Sequence, residues 1–165
     1  MIVLGVDPGN TGALCFLCSE NGPLGVIDMP VVPVKVGRSV KNRLSPAMLS
    51  ALIEDFPFAP DCAFVEEVHA MPKQGVSSSF YFGASYGTIL GILAARKTPT
   101  QTITPQKWRK LIGVRGGKGA SRALAAQLQP KLAGQFARAK DDGRAESCLI
   151  AMAGLSLMRL SEREQ

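Results

Sequence analysis

The chain has 165 residues, 19 Lys or Arg against 13 Asp or Glu, a formal net charge of +6 and 46% hydrophobic residues. That length suits one domain with a sizeable core, read as a single unit over residues 1–165, and the composition excludes a disordered chain. The charge favours an anionic partner.

In chain order, residues 1–6 form a short apolar β-type run that ends at Asp7 and the turn Pro8-Gly9-Asn10. Residues 12–17 and 24–29 read as a second and third strand, giving an antiparallel meander. Residues 30–42 read as a basic connection containing Pro and Val, with no helical period. Ser45-Pro46 is an N-cap followed by Pro at the first helical position, and that helix runs to Asp55. Pro57 and Pro60 stop it. Residues 62–68 are a mostly apolar fourth strand, expected at the centre of the sheet. Ser77 to Ser79 are expected to cap a helix reaching Ala95, whose Gly83, Gly87 and Gly91 permit close helix packing.

Thr100 to Ile103 is a fifth strand, and Thr104-Pro105 opens a short helix. A glycine-rich basic loop, Gly113 to Gly119, leads into a helix over 120–129, and a final helix spans 141–160 with an apolar face at Cys148, Leu149, Met152 and Leu155. The fold class is therefore α/β, a five-stranded mixed sheet flanked by helices, and the order of elements fits a ribonuclease H-like fold. Cys15, Cys18, Cys62 and Cys148 lie in apolar runs and read as buried thiols; one histidine cannot complete a zinc site around Cys15 and Cys18. The N-terminus has no basic segment and the longest apolar stretch is too short for a bilayer, so a cytoplasmic protein without membrane contact is expected.

Charge is distributed unevenly. Between Glu67 and Asp141 there is no acid, yet that stretch carries twelve Lys and Arg. Carboxylates stand on either side of it: Glu66 and Glu67 before, then Asp141, Asp142 and Glu146. Asp7 stands at the end of the first strand. Lys and Arg neutralise phosphates, and clustered carboxylates hold Mg²⁺, a hard cation that prefers oxygen. A nuclease meets both needs. Two divalent ions about 4 Å apart activate a water on one side of a phosphodiester and stabilise the leaving oxygen on the other. The expected ligands are Asp7, Glu66, Asp142 and Glu146. Adjacent strand residues point to opposite faces, so only one of Glu66 and Glu67 can serve. Asp142 and Glu146, four apart, share one helical face.

Three segments, Gly5-Val6-Asp7-Pro8-Gly9, Val65-Glu66-Glu67-Val68 and Gly143-Arg144-Ala145-Glu146, resemble the RuvC-type Holliday junction resolvases, particularly their bacteriophage-like members. The resemblance runs in order along nearly the whole chain. It implies a ribonuclease H-like homodimer of a bacterial or phage-infected cytoplasm. Such an enzyme uses Mg²⁺ or Mn²⁺, two ions per site, to nick opposed strands of a four-way DNA junction in recombination and repair. Asp7 matches the first-strand aspartate, Glu66 the fourth-strand glutamate, and Glu146 the final-helix aspartate with one more methylene. The family has Asp or His three residues before that last acid; here the position is Gly143, with Asp142 as the substitute. The resemblance also implies phosphate contacts from Lys107, Arg109, Lys110, Arg115 and Lys118. Lys118 is the first choice because Gly116, Gly117 and Gly119 admit close backbone approach. Arg38 and Lys41 belong to a second basic set suited to another arm of the junction. His69 stands where family members stack an aromatic on bases; stacking, proton transfer and a plain loop role all stay open for it.

Three other readings compete: a nuclease for other branched DNA or RNA, a non-catalytic junction-binding module, and an actin-like ATPase suggested by Asp7-x-Gly9-x-Thr11-Gly12. The last needs a second domain, and this chain is too short for one.

Overall fold

A computed structural model describes residues 1–69, 75–117 and 119–163. The strands β1 (Ile2–Asp7), β2 (Ala13–Cys18), β3 (Gly22–Asp28), β6 (Cys62–Glu66) and β7 (Thr100–Ile103) form one sheet in the order β3-β2-β1-β6-β7. β1, β2 and β3 pair antiparallel as the expected meander, while β1–β6 and β6–β7 are parallel. This is the five-stranded mixed sheet of a ribonuclease H-like fold. β6 is an interior strand between β1 and β7, with β1 at the centre, and it stops at Glu66 rather than Val68.

Side-chain alternation divides the sheet's two faces. Leu4 and Val6 of β1, with Ala63 and Val65 of β6, pack against Leu49 and Ile53 of α1 (Pro46–Asp55) and Ile89 and Leu93 of α2 (Val76–Ala95). Val3 of β1 and Phe64 of β6 face the other way, toward Ala145, Leu149 and Ala153 of α5 (Asp142–Arg163). Helices α3 (Pro105–Ile112) and α4 (Ala120–Leu128) complete that second layer through Trp108 and Ala125. Gly5 allows α5 to lie directly on β1: a Cβ there would overlap the Ser147 carbonyl and come within 2.5 Å of the Ala151 nitrogen.

The caps of α1 and α3 follow the sequence. Ser45 and Thr104 accept from the amides of Met48 and Lys107, with Pro at the first turn of each helix. Four features differ from expectation. Residues 30–42 are no irregular connection: β4 (Val31–Val36) and β5 (Ser39–Leu44) form a separate antiparallel hairpin, turned at Gly37 with φ +59°. Ser77 to Ser79 do not cap α2, which starts after Gly75 with no side-chain cap. On α2, Gly83, Gly87 and Gly91 face open space among the described residues, so none of the described helices packs on them. The final helix starts at Asp142, after two short 3₁₀ segments, Pro130–Phe136 and Ala139–Asp141.

Cys15, Cys62 and Cys148 are buried free thiols, as expected, and Cys18 is half-buried. Among the described residues no helix is long and apolar enough to cross a membrane.

Candidate active site

Asp7 has the same parity as Val3 and Gly5, and Glu66 the same parity as Phe64, so both carboxylates project toward α5. Parallel pairing of Val6 with Val65 puts the two acids side by side at the ends of neighbouring strands. Glu67 points to the opposite face, where it lies 3.2 Å from Nε2 of exposed His69; the Tyr86 hydroxyl pKa there is raised by burial first and by Glu67 second. The alternation argument thus selects Glu66.

From α5, Glu146 approaches the strand pair. Burial, opposed by the Gly9 amide at 3.2 Å and reinforced by Glu66 and Glu146, pushes Asp7 up to about 7. Burial also raises Glu66, with Glu146 adding to it, and raises Glu146, with Asp142 adding to it. Asp7, Glu66 and Glu146 are therefore three mutually repelling, desolvated carboxylates held at one sheet edge.

Asp142 stands to one side. Its Oδ1 accepts from Arg122 Nε at 2.7 Å, and it adjoins Glu146 across a groove lined by Gly116, Gly117 and Gly119. Asp141 is not available: buried at 2% exposure, it caps its own turn through the Arg138 amide and pairs with the Arg138 guanidinium, which lowers its pKa to about 2. Of the two neighbouring aspartates, Asp142 is the one that faces the groove. Among the described residues no three acidic, His or Cys side chains already converge at metal-holding distance.

Gly143, the point of departure from the resolvase pattern, fills a specific steric role. A Cβ there would come within 2.7 Å of the Gly12 Cα and 3.0 Å of Asp7 Oδ2. The helix start is pressed against the turn after β1, with no space for a side chain. Beside it, Arg144 makes a bidentate pair with Asp28 at 2.5 and 2.6 Å, tying the start of α5 to the end of β3.

Sequence reasoning missed two supports. Trp108 Nε1 donates to Glu66 Oε1 at 2.7 Å, and Ser121 Oγ donates to Glu146 Oε1 at 3.1 Å while accepting from Arg109 Nη1 at 3.1 Å. Arg109 lies 3.6 Å from Glu146. The expected phosphate contact thus sits half-buried against the acids, while Lys107, Lys110 and Arg115 are exposed around it. Arg38 and Lys41 project from the β4–β5 hairpin. Lys118 lies outside the described residues. A lone Trp in a basic helix and a Ser at the start of the next are ordinary core features in sequence, so nothing marked either.

The sheet order, the crossing of α5 over β1 and the acids at the strand ends define a ribonuclease H-like architecture with an acidic edge. Solved structures share the fold over nearly the whole chain. Thermus thermophilus RuvC is 17% identical, with 98% of this chain and 97% of that chain covered and a TM-score of 0.59. The same protein in complex with Holliday junction substrate is 16% identical, covers 97% and 96%, and gives 0.66. The RuvC-type resemblance read from three sequence segments therefore holds at the level of the fold. No protein-family model and no curated protein sequence matches the chain.

Proposed function

We propose that this chain is a metal-dependent, structure-selective endonuclease that nicks opposed strands of four-way DNA junctions. The observation carrying the proposal is the placement of Asp7 and Glu66 side by side at the ends of paired strands, facing Glu146 of α5, beside a surface rich in Lys and Arg. Three half-buried carboxylates packed beside one another destabilise a fold unless a cation or phosphate chemistry uses them. Support for the substrate comes from the RuvC neighbour solved with a Holliday junction.

The donor set is all oxygen, which fits Mg²⁺ or Mn²⁺ and excludes soft metals. Asp7 and Glu66 from the strands and Glu146 from α5 would hold such ions, with Asp142 joining once released from Arg122. When bound, the ions would supply an activated water and neutralise the leaving oxygen. The chain's own residues do the rest. Trp108 orients Glu66, Ser121 and Arg109 orient Glu146, and Lys107, Lys110 and Arg115 take phosphates at the rim of the groove.

Opposed nicks need two sites, hence a homodimer. The open Gly83, Gly87 and Gly91 face of α2, beside Phe80 at 69% exposure, suits the approach of a second copy.

The test is cleavage of a synthetic four-way junction beside linear duplex, splayed fork and RNA–DNA hybrid, with and without Mg²⁺. Paired Mg²⁺-dependent nicks across the junction are expected, and Asp7→Asn or Glu66→Gln removes them while DNA binding persists. Cutting of forks or hybrid without junction preference would overturn the substrate assignment.

A further inference from the structure

The β4–β5 hairpin is not part of the main sheet, and the core explains little of it. Its residues from Pro33 to Asn42 are exposed, including Val40 at 66% exposure. Between Asp28 and Glu54 the chain has no acid, and all four cations of that stretch, Lys35, Arg38, Lys41 and Arg43, lie on this ribbon. Among the described residues Lys35, Arg38 and Lys41 enter no ion pair. A ribbon carrying one sign of charge repels itself in the free protein, which argues for an anionic occupant.

The root of the hairpin is fixed, and it is fixed to the candidate site. Asn10, three residues beyond Asp7, donates from Nδ2 to the Asn42 carbonyl at 3.0 Å. The Met29 amide bonds to the Gly12 carbonyl at 2.9 Å, and the Ser45 amide to the Pro30 carbonyl at 2.9 Å. Arg43 stacks its guanidinium 3.5 Å from the centre of the Tyr81 ring, which joins β5 to the start of α2. Between the Asn10–Gly12 turn and the Arg138–Lys140 turn runs a groove of about 340 Å³ that reaches the base of the hairpin. Asp28 and Asp141 also line this groove, each paired to an arginine, and the basic ribbon extends outward from it.

We propose that the β4–β5 hairpin is a DNA-gripping arm whose Lys35, Arg38 and Lys41 take the phosphates of a duplex leading away from the cleavage site. This rests on the nucleic-acid reading above and adds to it a contact remote from the acids. A two-stranded ribbon fits the major groove of DNA. Lys and Arg on it reach phosphates rather than reading base sequence. Six-residue strands span about 20 Å, equal to about six base pairs at 3.4 Å per step. The arm therefore senses how far a duplex extends from the branch.

The experiment measures equilibrium binding by fluorescence anisotropy in EDTA, so that it does not depend on cleavage. Junctions with long arms and with arms cut to a few base pairs are compared for the wild type and for Lys35→Gln/Arg38→Gln/Lys41→Gln. Loss of three phosphate contacts lowers the slope of log affinity against log salt by about 2.7, at about 0.9 per contact. Shortening the arms weakens the wild type and leaves the triple variant unaffected. Equal salt slopes and equal arm-length dependence in the two proteins would overturn the proposal. So would a change in sedimentation of the triple variant, because the ribbon would then be an interface between copies. The charge-keeping variant Lys35→Arg/Lys41→Arg retains both behaviours, which separates lost contact from lost folding. If the wild type binds as described but cuts nothing with Mg²⁺, the nuclease reading fails and the arm stands. If it cuts junctions while the variants bind alike, the arm fails alone.

Discussion

The indole Nε1–H of Trp108 donates to Glu66 Oε1 at 2.7 Å, joining the buried face of α3 to the end of β6. Trp108 is 1% exposed and packed in the α5-side core, so the bond sets the rotamer of Glu66 from a rigid platform. Trp108→Phe keeps most of the ring volume and leaves a largely buried carboxylate without its donor. The expected cost is about 1–3 kcal/mol in denaturant melts. Loss of an orienting partner should also weaken divalent-ion affinity by about 10- to 100-fold. Trp108 is the only tryptophan, and it touches a proposed ligand, so Mn²⁺ titration should change its emission. Glu66→Gln should abolish that change.

Asp7 supplies a pH prediction with a definite sign. Its folded pKa of about 7 lies above the ordinary 3.8, chiefly through burial. Between those values the folded state binds more protons than the unfolded one, so stability falls as pH rises from about 4 to about 7. The penalty is complete above that window and amounts to at most about 4 kcal/mol. In metal-free buffer Asp7→Asn should therefore melt above the wild type at pH 8, and the two should converge near pH 4. Mg²⁺ at pH 8 should raise the melting temperature of the wild type and leave that of the variant unchanged.

The mixed sheet was legible because most of its strands are short apolar runs bounded by Pro, Gly and Asp. The choice of Glu66 over Glu67 was legible as a problem, since alternation allows only one. Its solution required the β1–β6 register, which pairs Val6 with Val65. The hairpin over 31–44 escaped because Pro33 interrupts a strand pattern; at an unshared edge its missing amide costs no ladder bond. Trp108 and Ser121 were invisible as supports because each acts through a partner far along the chain, 42 and 25 residues away. Asp142 was read as a substitute for an acid at 143, and the structure explains why 143 itself is Gly: the turn after β1 fills the space.

That steric relation yields a prediction opposite to helix propensity. Gly143 lies in the first turn of α5, where Ala would ordinarily be favoured by up to about 1 kcal/mol. A Cβ there would stand 2.7 Å from Gly12 Cα and 3.0 Å from Asp7 Oδ2. The backbone of the turn would have to move. Gly143→Ala should destabilise by about 1–3 kcal/mol, the usual range for overpacking. Chemical denaturation measures it directly, and a more stable variant would contradict the close approach of α5 to Asp7.

On α2 the same substitution should act in the opposite direction. Gly83, Gly87 and Gly91 recur every fourth residue, and a Cβ at any of them meets nothing within 4 Å. In the isolated chain Gly87→Ala should stabilise the helix by about 0.5–1 kcal/mol, because glycine loses most backbone entropy on folding. If two copies meet across this face, a larger side chain holds the helices apart. Gly87→Leu should then fold at least as stably as the wild type at low concentration and yet sediment as a monomer where the wild type is a dimer. It should also convert paired junction cleavage into single, uncoupled nicks. A Gly87→Leu protein that still dimerises and cuts in pairs would place the dimer interface on another surface.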